Sequence, residues 1–232
     1  MKLPQPLIGA TLVKRYKRFL ADARLADGRI VTAHCADPGR LPGLAVEGAP
    51  VMLSPSDDPK RKLAYRLEII EQDGVRVALN TMNANRIVRE ALESRNIGGF
   101  GEYDRVLPEV RIDSSTRLDF ALQHEDAVSR YIEVKNVSWN RDGIGAFPDA
   151  VTKRGAKHLR TLADLVRKGH RAVLLFVAQR GDIQRLAIAG DIDPDYLQAF
   201  REAIGAGVEC VAFNCTVNEI EIRLAARMEV AL

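Results

Sequence analysis

Between residues 8 and 80 the apolar runs are short, and turn signals cut them at Asp27-Gly28, Pro38-Gly39, Pro42-Gly43, Gly48, the SPSDDP run at 54–59 and Asp73-Gly74. The intervening segments GRIVTAHC, APVML, YRLEII and VRVALN have strand length and strand residues. Short strands at this spacing predict a small barrel of about five strands, with an OB-like barrel over residues 1–83 as the natural candidate. Near Asn83 the period changes. In ANRIVREALESRN the apolar positions Ile87, Val88, Ala91 and Leu92 fall on one helical face, and Gly98-Gly99 ends the pattern. Three strands are expected next, in RVLPEVRI, TRLDFALQ and RYIEVKNVSW, followed by a helix in AVTKRGAKHLRTLADLVRKG capped by Asp149. The unbroken run AVLLFVA reads as a strand buried on both faces. DPDYLQAFREAIGAG reads as a helix capped by Asp193, and VECVAFNC and NEIEIRLAA as two last strands. Residues 84–232 thus form a second domain of order α-β-β-β-α-β-α-β-β, an α/β (α+β) arrangement with a mixed sheet flanked by helices.

Composition adds little to this picture. The 232 residues are 47% hydrophobic and 28% charged, the balance of an ordinary folded protein. The absence of a long apolar run or a signal-peptide pattern leads us to expect a cytoplasmic protein with no membrane segment. Cys35, Cys210 and Cys215 are too few and too irregularly spaced for a disulfide framework or a zinc site, and are expected to be reduced and mostly buried. The net charge of +3 is unevenly spread. Residues 1–83 carry 13 Lys and Arg against 9 Asp and Glu, a balance of +4, whereas the rest of the chain carries 21 against 22, a balance of −1.

The candidate chemistry lies in STRLDFALQHEDAVSRYIEVK, residues 115–135. Leu118, Phe120 and Leu122 alternate with Asp119, and Ile132 and Val134 alternate with Glu133 and Lys135. Thirteen residues separate Asp119 from Glu133, enough for two strand halves and a polar turn, so the two carboxylates can share one face of a hairpin. Crowded carboxylates repel unless a proton or cation lies between them, and Mg²⁺ or Mn²⁺ with phosphate oxygens suits such a pair. Asp119 and Glu133 are then the candidate metal ligands, and Lys135 stabilises charge on a phosphate. The other reading is a hydrated sheet face with ordinary cross-strand pairs.

The order of helix, three strands and a further α-β unit resembles the core of the PD-(D/E)xK nuclease superfamily. More closely, LVKRYKRFL (12–20), NANRIVREAL (83–92), EVRIDSSTRLDFAL (109–122), YIEVKNVS (131–138) and FPDAVTKRGAKHLRTL (147–162) resemble the sugar fermentation stimulation protein A family over nearly the whole chain. One departure is CADPG at 35–39, where the family often has CPNTG. The resemblance implies an N-terminal OB-like domain, a nuclease-like second domain and DNA as partner. It places Asp119, Glu133 and Lys135 on the superfamily's core triad, with Glu90 and Glu109 as additional candidate carboxylates. A DNA-binding regulatory protein and a Mg²⁺-dependent deoxyribonuclease are the two leading functions. A small-ligand binding protein is a third, although no Gly-rich phosphate loop is present.

Two stretches could meet DNA. Lys14, Arg15, Tyr16, Lys17, Arg18 and Phe19 place cations and aromatics on a predicted strand, suited to phosphates and stacked bases. On the helix after Pro148, Arg154, Lys157 and His158 lie near the Glu133 strand, within reach of a bound phosphate. Each stretch can also be read as a solvated surface.

Overall fold

In a computed structural model that describes residues 1–56 and 58–231, the first third closes into a barrel. Its sheet has six strands: β1 (Ile8–Tyr16), β2 (Leu20–Leu25), β3 (Ile30–Cys35), β4 (Pro50–Pro55), β5 (Tyr65–Gln72) and β6 (Val75–Ala78). Their order is β3-β2-β1-β4-β5-β6, and a parallel β3–β5 pairing closes the first five into the expected OB-like barrel. Alternate inward residues such as Leu12, Ala21, Ala33, Leu53, Leu67 and Val77 fill the interior. Within the expected SPSDDP turn, Asp57 lies outside the described residues, as does Leu232 at the far end of the chain. Residues Met1 to Leu3 leave the barrel and pair with the second domain, where Leu3 N donates to Ile220 O at 2.8 Å.

The second domain contains α1 (Met82–Glu93), β7 (Arg105–Arg111), β8 (Arg117–His124), β9 (Ala127–Val137), β10 (Trp139–Arg141), β11 (Ile144–Phe147) and α2 (Lys153–Arg167). It continues through β12 (Ala172–Ala178), β13 (Arg185–Ile188), α3 (Pro194–Gly205), β14 (Glu209–Val217) and β15 (Ile222–Ala231). Nine of these strands make one mixed sheet of order β10-β11-β13-β15-β14-β12-β9-β8-β7. All seven residues of β12 are buried, as its unbroken apolar run demands. On one face α1 packs Ile87, Val88 and Leu92 against Phe120, Ile132 and Val134. On the other, α2 and α3 bury Leu159, Leu162, Tyr196 and Phe200 against Leu174 and Phe176.

Sequence periodicity does not signal the short strands β10, β11 and β13, because three or four residues are too few to show a period. The start of α2 also differs from expectation. Asp149 does not cap it; Thr152 does, with its hydroxyl accepting from Gly155 N at 3.1 Å. Val151, inside the expected helical segment, precedes the helix and is 66% exposed. Thr152→Ala is expected to cost about 1 kcal/mol, read as a lowered midpoint in urea unfolding at constant m-value. Asp193 caps α3 as expected, accepting from Tyr196 N at 3.1 Å.

Candidate active site

The β8–β9 hairpin turns at Glu125 and Asp126, and its pairing ends with Phe120 opposite Ile132. One residue beyond, the strands part, and Asp119 Oδ2 accepts the Val134 amide at 2.7 Å. Its other oxygen, Oδ1, accepts from Asn85 Nδ2 on α1 at 2.7 Å. Glu133 and Lys135 follow on β9, opposite Leu174 and Phe176 of β12 and towards α2. The expected grouping of Asp119, Glu133 and Lys135 is therefore present, at the point where the hairpin splays.

Glu133 is buried and carries both of its side-chain partners on one oxygen. Oε1 accepts from Lys135 Nζ at 2.5 Å and also contacts Nδ1 of the buried His158. His158 Nε2 accepts from Arg154 Nε at 3.4 Å, which leaves Nδ1 as the proton-bearing nitrogen facing Glu133. Oε2 is buried with no hydrogen-bond partner. Burial pushes the Glu133 carboxyl upward, but the hydrogen bonds from His158 and Lys135 and the Lys135 charge hold it below its ordinary pKa. Asp119 behaves oppositely. Burial and then repulsion by Glu133 raise it to about 6, against the stabilising Val134 and Asn85 bonds. Lys135 forms no ion pair with Asp119, so the space between the carboxylates is not bridged by it.

These residues line a cleft of about 430 Å³ whose opposite wall comes from the barrel, with Arg18, Asp37 and Gly39. Asp37 is 3% exposed and raised to about 6, first by burial and then by repulsion from Asp149. Asp149 reaches across the junction to accept from Arg40 N at 2.7 Å and Leu41 N at 3.3 Å. Gly39 sits where a Cβ would lie 2.4 Å from Asp149 Oδ2, so only glycine permits this approach. Asn136 of β9 donates to Asp37 Oδ2 at 3.4 Å, a second tie between barrel and sheet. Asn85, Asp37, Asp149 and Asn136 are site residues that sequence reasoning missed. The available signal was the CADPG departure, which lies on the cleft wall.

Other candidate residues lie elsewhere. Glu90 is exposed on the far side of α1 and pairs with the N-terminal amine at 3.0 Å, because its helical phase differs from that of Asn85. Glu109 occupies the register position opposite Asp119, but its φ of 51° takes it out of strand alternation, and it lines a neighbouring cleft with Arg154 and His158. The basic stretch is a hairpin, since β1 ends at Tyr16 and Lys17 and Arg18 turn with positive φ. Arg15 points inward: one guanidinium nitrogen donates to the carbonyls of Arg18, Asp37 and Gly39 at 2.7–2.8 Å. Tyr16 is tied to Asp22, as is Lys14, at 3.2 and 3.7 Å respectively. Lys17 is exposed, and Phe19 is 48% exposed and stacks on His34. Arg18 is the member of this stretch that reaches the cleft. Arg154 lines both clefts, and Lys157 lines the neighbouring one.

Among the described residues no group of three His, Cys, Asp or Glu side chains is arranged to hold a metal. The two-carboxylate pair with an orphaned, buried Oε2 still fits a hard cation that retains water and takes phosphate oxygens. The three cysteines are free, with Cys35 and Cys215 buried. No helix among the described residues is long and apolar enough to cross a membrane.

An OB-like barrel joined to a mixed-sheet α+β domain, with a desolvated Asp…Glu-x-Lys group in the cleft between them, defines the class of protein. The chain belongs to the sugar fermentation stimulation protein family: the model of the sugar fermentation stimulation protein RE domain matches residues 82–221, and that of the SfsA N-terminal OB domain matches residues 13–79. It is 46% identical over 230 residues to a sugar fermentation stimulation protein homolog of Geobacter sulfurreducens, covering 99% of this chain and 98% of that one. A homolog of Pseudoalteromonas atlantica is 47% identical over 230 residues, covering 98% of both. The structure of Pyrococcus furiosus SfsA in complex with Ca²⁺ superposes with a TM-score of 0.88 at 23% identity, covering 100% of this chain and 98% of that one.

Proposed function

We propose that this protein binds DNA in the cleft between barrel and sheet, and that Asp119, Glu133 and Lys135 form a divalent-cation-dependent phosphodiesterase centre there. The observation that carries this reading is the unpartnered, buried Glu133 Oε2 beside an Asp119 that burial and repulsion raise to about 6. Such a pair is costly in a protein that uses it only for stability, and a cation removes the cost. Mg²⁺ or Mn²⁺ held by Asp119 and Glu133 would polarise a phosphate and lower the pKa of a coordinated water. The Ca²⁺ complex of the Pyrococcus furiosus relative adds Ca²⁺ to the ions worth testing.

The chain's own residues have separable roles. Asn85 and the Val134 amide fix the Asp119 carboxylate in one orientation. His158 does the same for Glu133, with Arg154 setting its tautomer. Lys135 is free to turn from Glu133 Oε1 towards a phosphate oxygen as negative charge develops. Arg18 brings a cation from the barrel side of the cleft to the DNA backbone. A DNA-binding regulatory protein that holds a cation without cutting uses the same contacts, and the test below separates the two.

The test incubates labelled single- and double-stranded DNA with the purified protein, with EDTA, Mg²⁺, Mn²⁺ or Ca²⁺, and scores retention and cleavage together. Salt-sensitive retention with Mg²⁺- or Mn²⁺-dependent cleavage is expected. Retention without cleavage in any ion would reduce the function to binding, and absence of both would exclude DNA.

A further inference from the structure

Beside the candidate active site is a second cleft of about 580 Å³, between the β7–β8 turn and the first turns of α2. Arg111, Arg117, Lys153, Arg154 and Lys157 line it, against Glu109 and Asp113. None of these five cations forms an ion pair with a carboxylate within 4 Å among the described residues, whereas Arg160, farther along α2, pairs with Asp195. The Asp113 carboxylate is occupied by the Ser115 amide and hydroxyl at 2.6 and 2.9 Å.

Two features here cost stability unless an anion is present. Arg111 and Arg117 stand directly opposite each other across the β7–β8 ladder, a like-charge cross-strand pair. Lys153 and Arg154 occupy the first turn of α2, which holds no acidic residue, so they add positive charge to the positive end of the helix dipole. In α3, by contrast, that turn contains Asp195.

We propose that this cleft holds backbone phosphates of the same DNA strand, on the far side of Arg154 from the reacting phosphate. Arg154 lines both clefts and so joins the two stretches of the path. This rests on the DNA reading above and extends it to a second contact surface. A strand laid along it meets Arg18 in the first cleft, Arg154 at the junction, and Arg117 and Lys153 beyond.

The experiment measures DNA binding by anisotropy in EDTA between about 50 and 200 mM salt, where cleavage plays no part. Unphosphorylated and 5′-phosphorylated oligonucleotides are compared. R117Q/K153Q is set beside R185Q/R223Q, which removes the same charge from exposed positions paired elsewhere. The first pair is expected to lower the salt slope by about 2, close to 0.9 for each lost phosphate, on both oligonucleotides. The remote pair should leave the slope unchanged. Arg117→Glu should weaken binding while raising the melting temperature by about 1–2 °C, because it places an opposite charge across from Arg111. Wild-type binding with unaltered slope and affinity in R117Q/K153Q overturns the proposal while leaving the DNA reading intact. Equal slope losses in the two double variants also overturn it, as does an effect confined to 5′-phosphorylated ends. Wild-type protein that shows no salt-sensitive binding overturns the proposal and the DNA reading together.

Discussion

Asp119→Asn is expected to abolish cation-dependent DNA cleavage, with a rate loss on the order of 10³-fold or more, equivalent to about 4 kcal/mol of transition-state stabilisation. The amide keeps one oxygen for the Val134 N–H, and Asn85 can turn its own oxygen towards the new Nδ2, so the local structure should survive. The lost charge also removes the repulsion with Glu133, and the melting temperature should not fall. Calorimetric titration with Mn²⁺ should show cation binding lost together with activity. Lys135→Ala separates the roles: it should retain the cation and lower the cleavage rate by about 10²–10³-fold, the cost of losing one charge-stabilising group. Neither substitution should change binding in EDTA more than a few-fold. Cleavage that persists in both variants would place the chemistry elsewhere.

Asp37→Asn is expected to make the protein more stable at pH 7.5 by up to about 3 kcal/mol, with no such gain at pH 4. Burial and the nearby Asp149 raise the Asp37 carboxyl to about 6 in the fold from 3.8. Its protonated form is therefore favoured in the folded state. Below the unfolded value the group is protonated in both states and costs nothing. As pH rises from the unfolded value through the folded one, the wild-type protein progressively loses stability, and the loss is complete above the folded value. Asparagine retains an oxygen for the Gly39 amide and cannot ionise. Urea unfolding of both proteins from pH 4 to 7.5 should give curves that agree at the acid end, diverge as pH rises towards the folded value of about 6, and hold a constant separation above it. Curves that stay parallel would mean that Asp37 is not strained by its surroundings.

Much of the fold was legible because it depends on local periodicity. The turn signals of the first third announce a barrel, the Ile87-Val88-Ala91-Leu92 face announces α1, and the unbroken AVLLFVA run announces a central strand. Alternation along TRLDFALQ and RYIEVKNV was enough to bring Asp119, Glu133 and Lys135 together, because a hairpin of that length has little choice of register. Where local signals compete, the reading fails. Asp149 and Thr152 are both good caps, and the choice fell to Thr152 because the barrel loop presents two amides to Asp149. Glu90 and Glu109 are acidic residues on the expected elements, yet helical phase removes one and a left-handed backbone removes the other.

The chain's own pattern thus decides the two architectures, their order and the core carboxylates, since each rests on contacts between residues close in sequence or on a simple period. Tertiary structure alone decides the environment that gives those carboxylates their chemistry. His158 meets Glu133 from 25 positions away, Asn85 meets Asp119 from 34, and Asp149 meets the barrel loop from 109. Desolvation and repulsion depend on everything packed around a group, so the raised Asp119 and the orphaned Glu133 oxygen emerge only when the helices pack on the sheet, and the raised Asp37 only when the barrel loop meets Asp149.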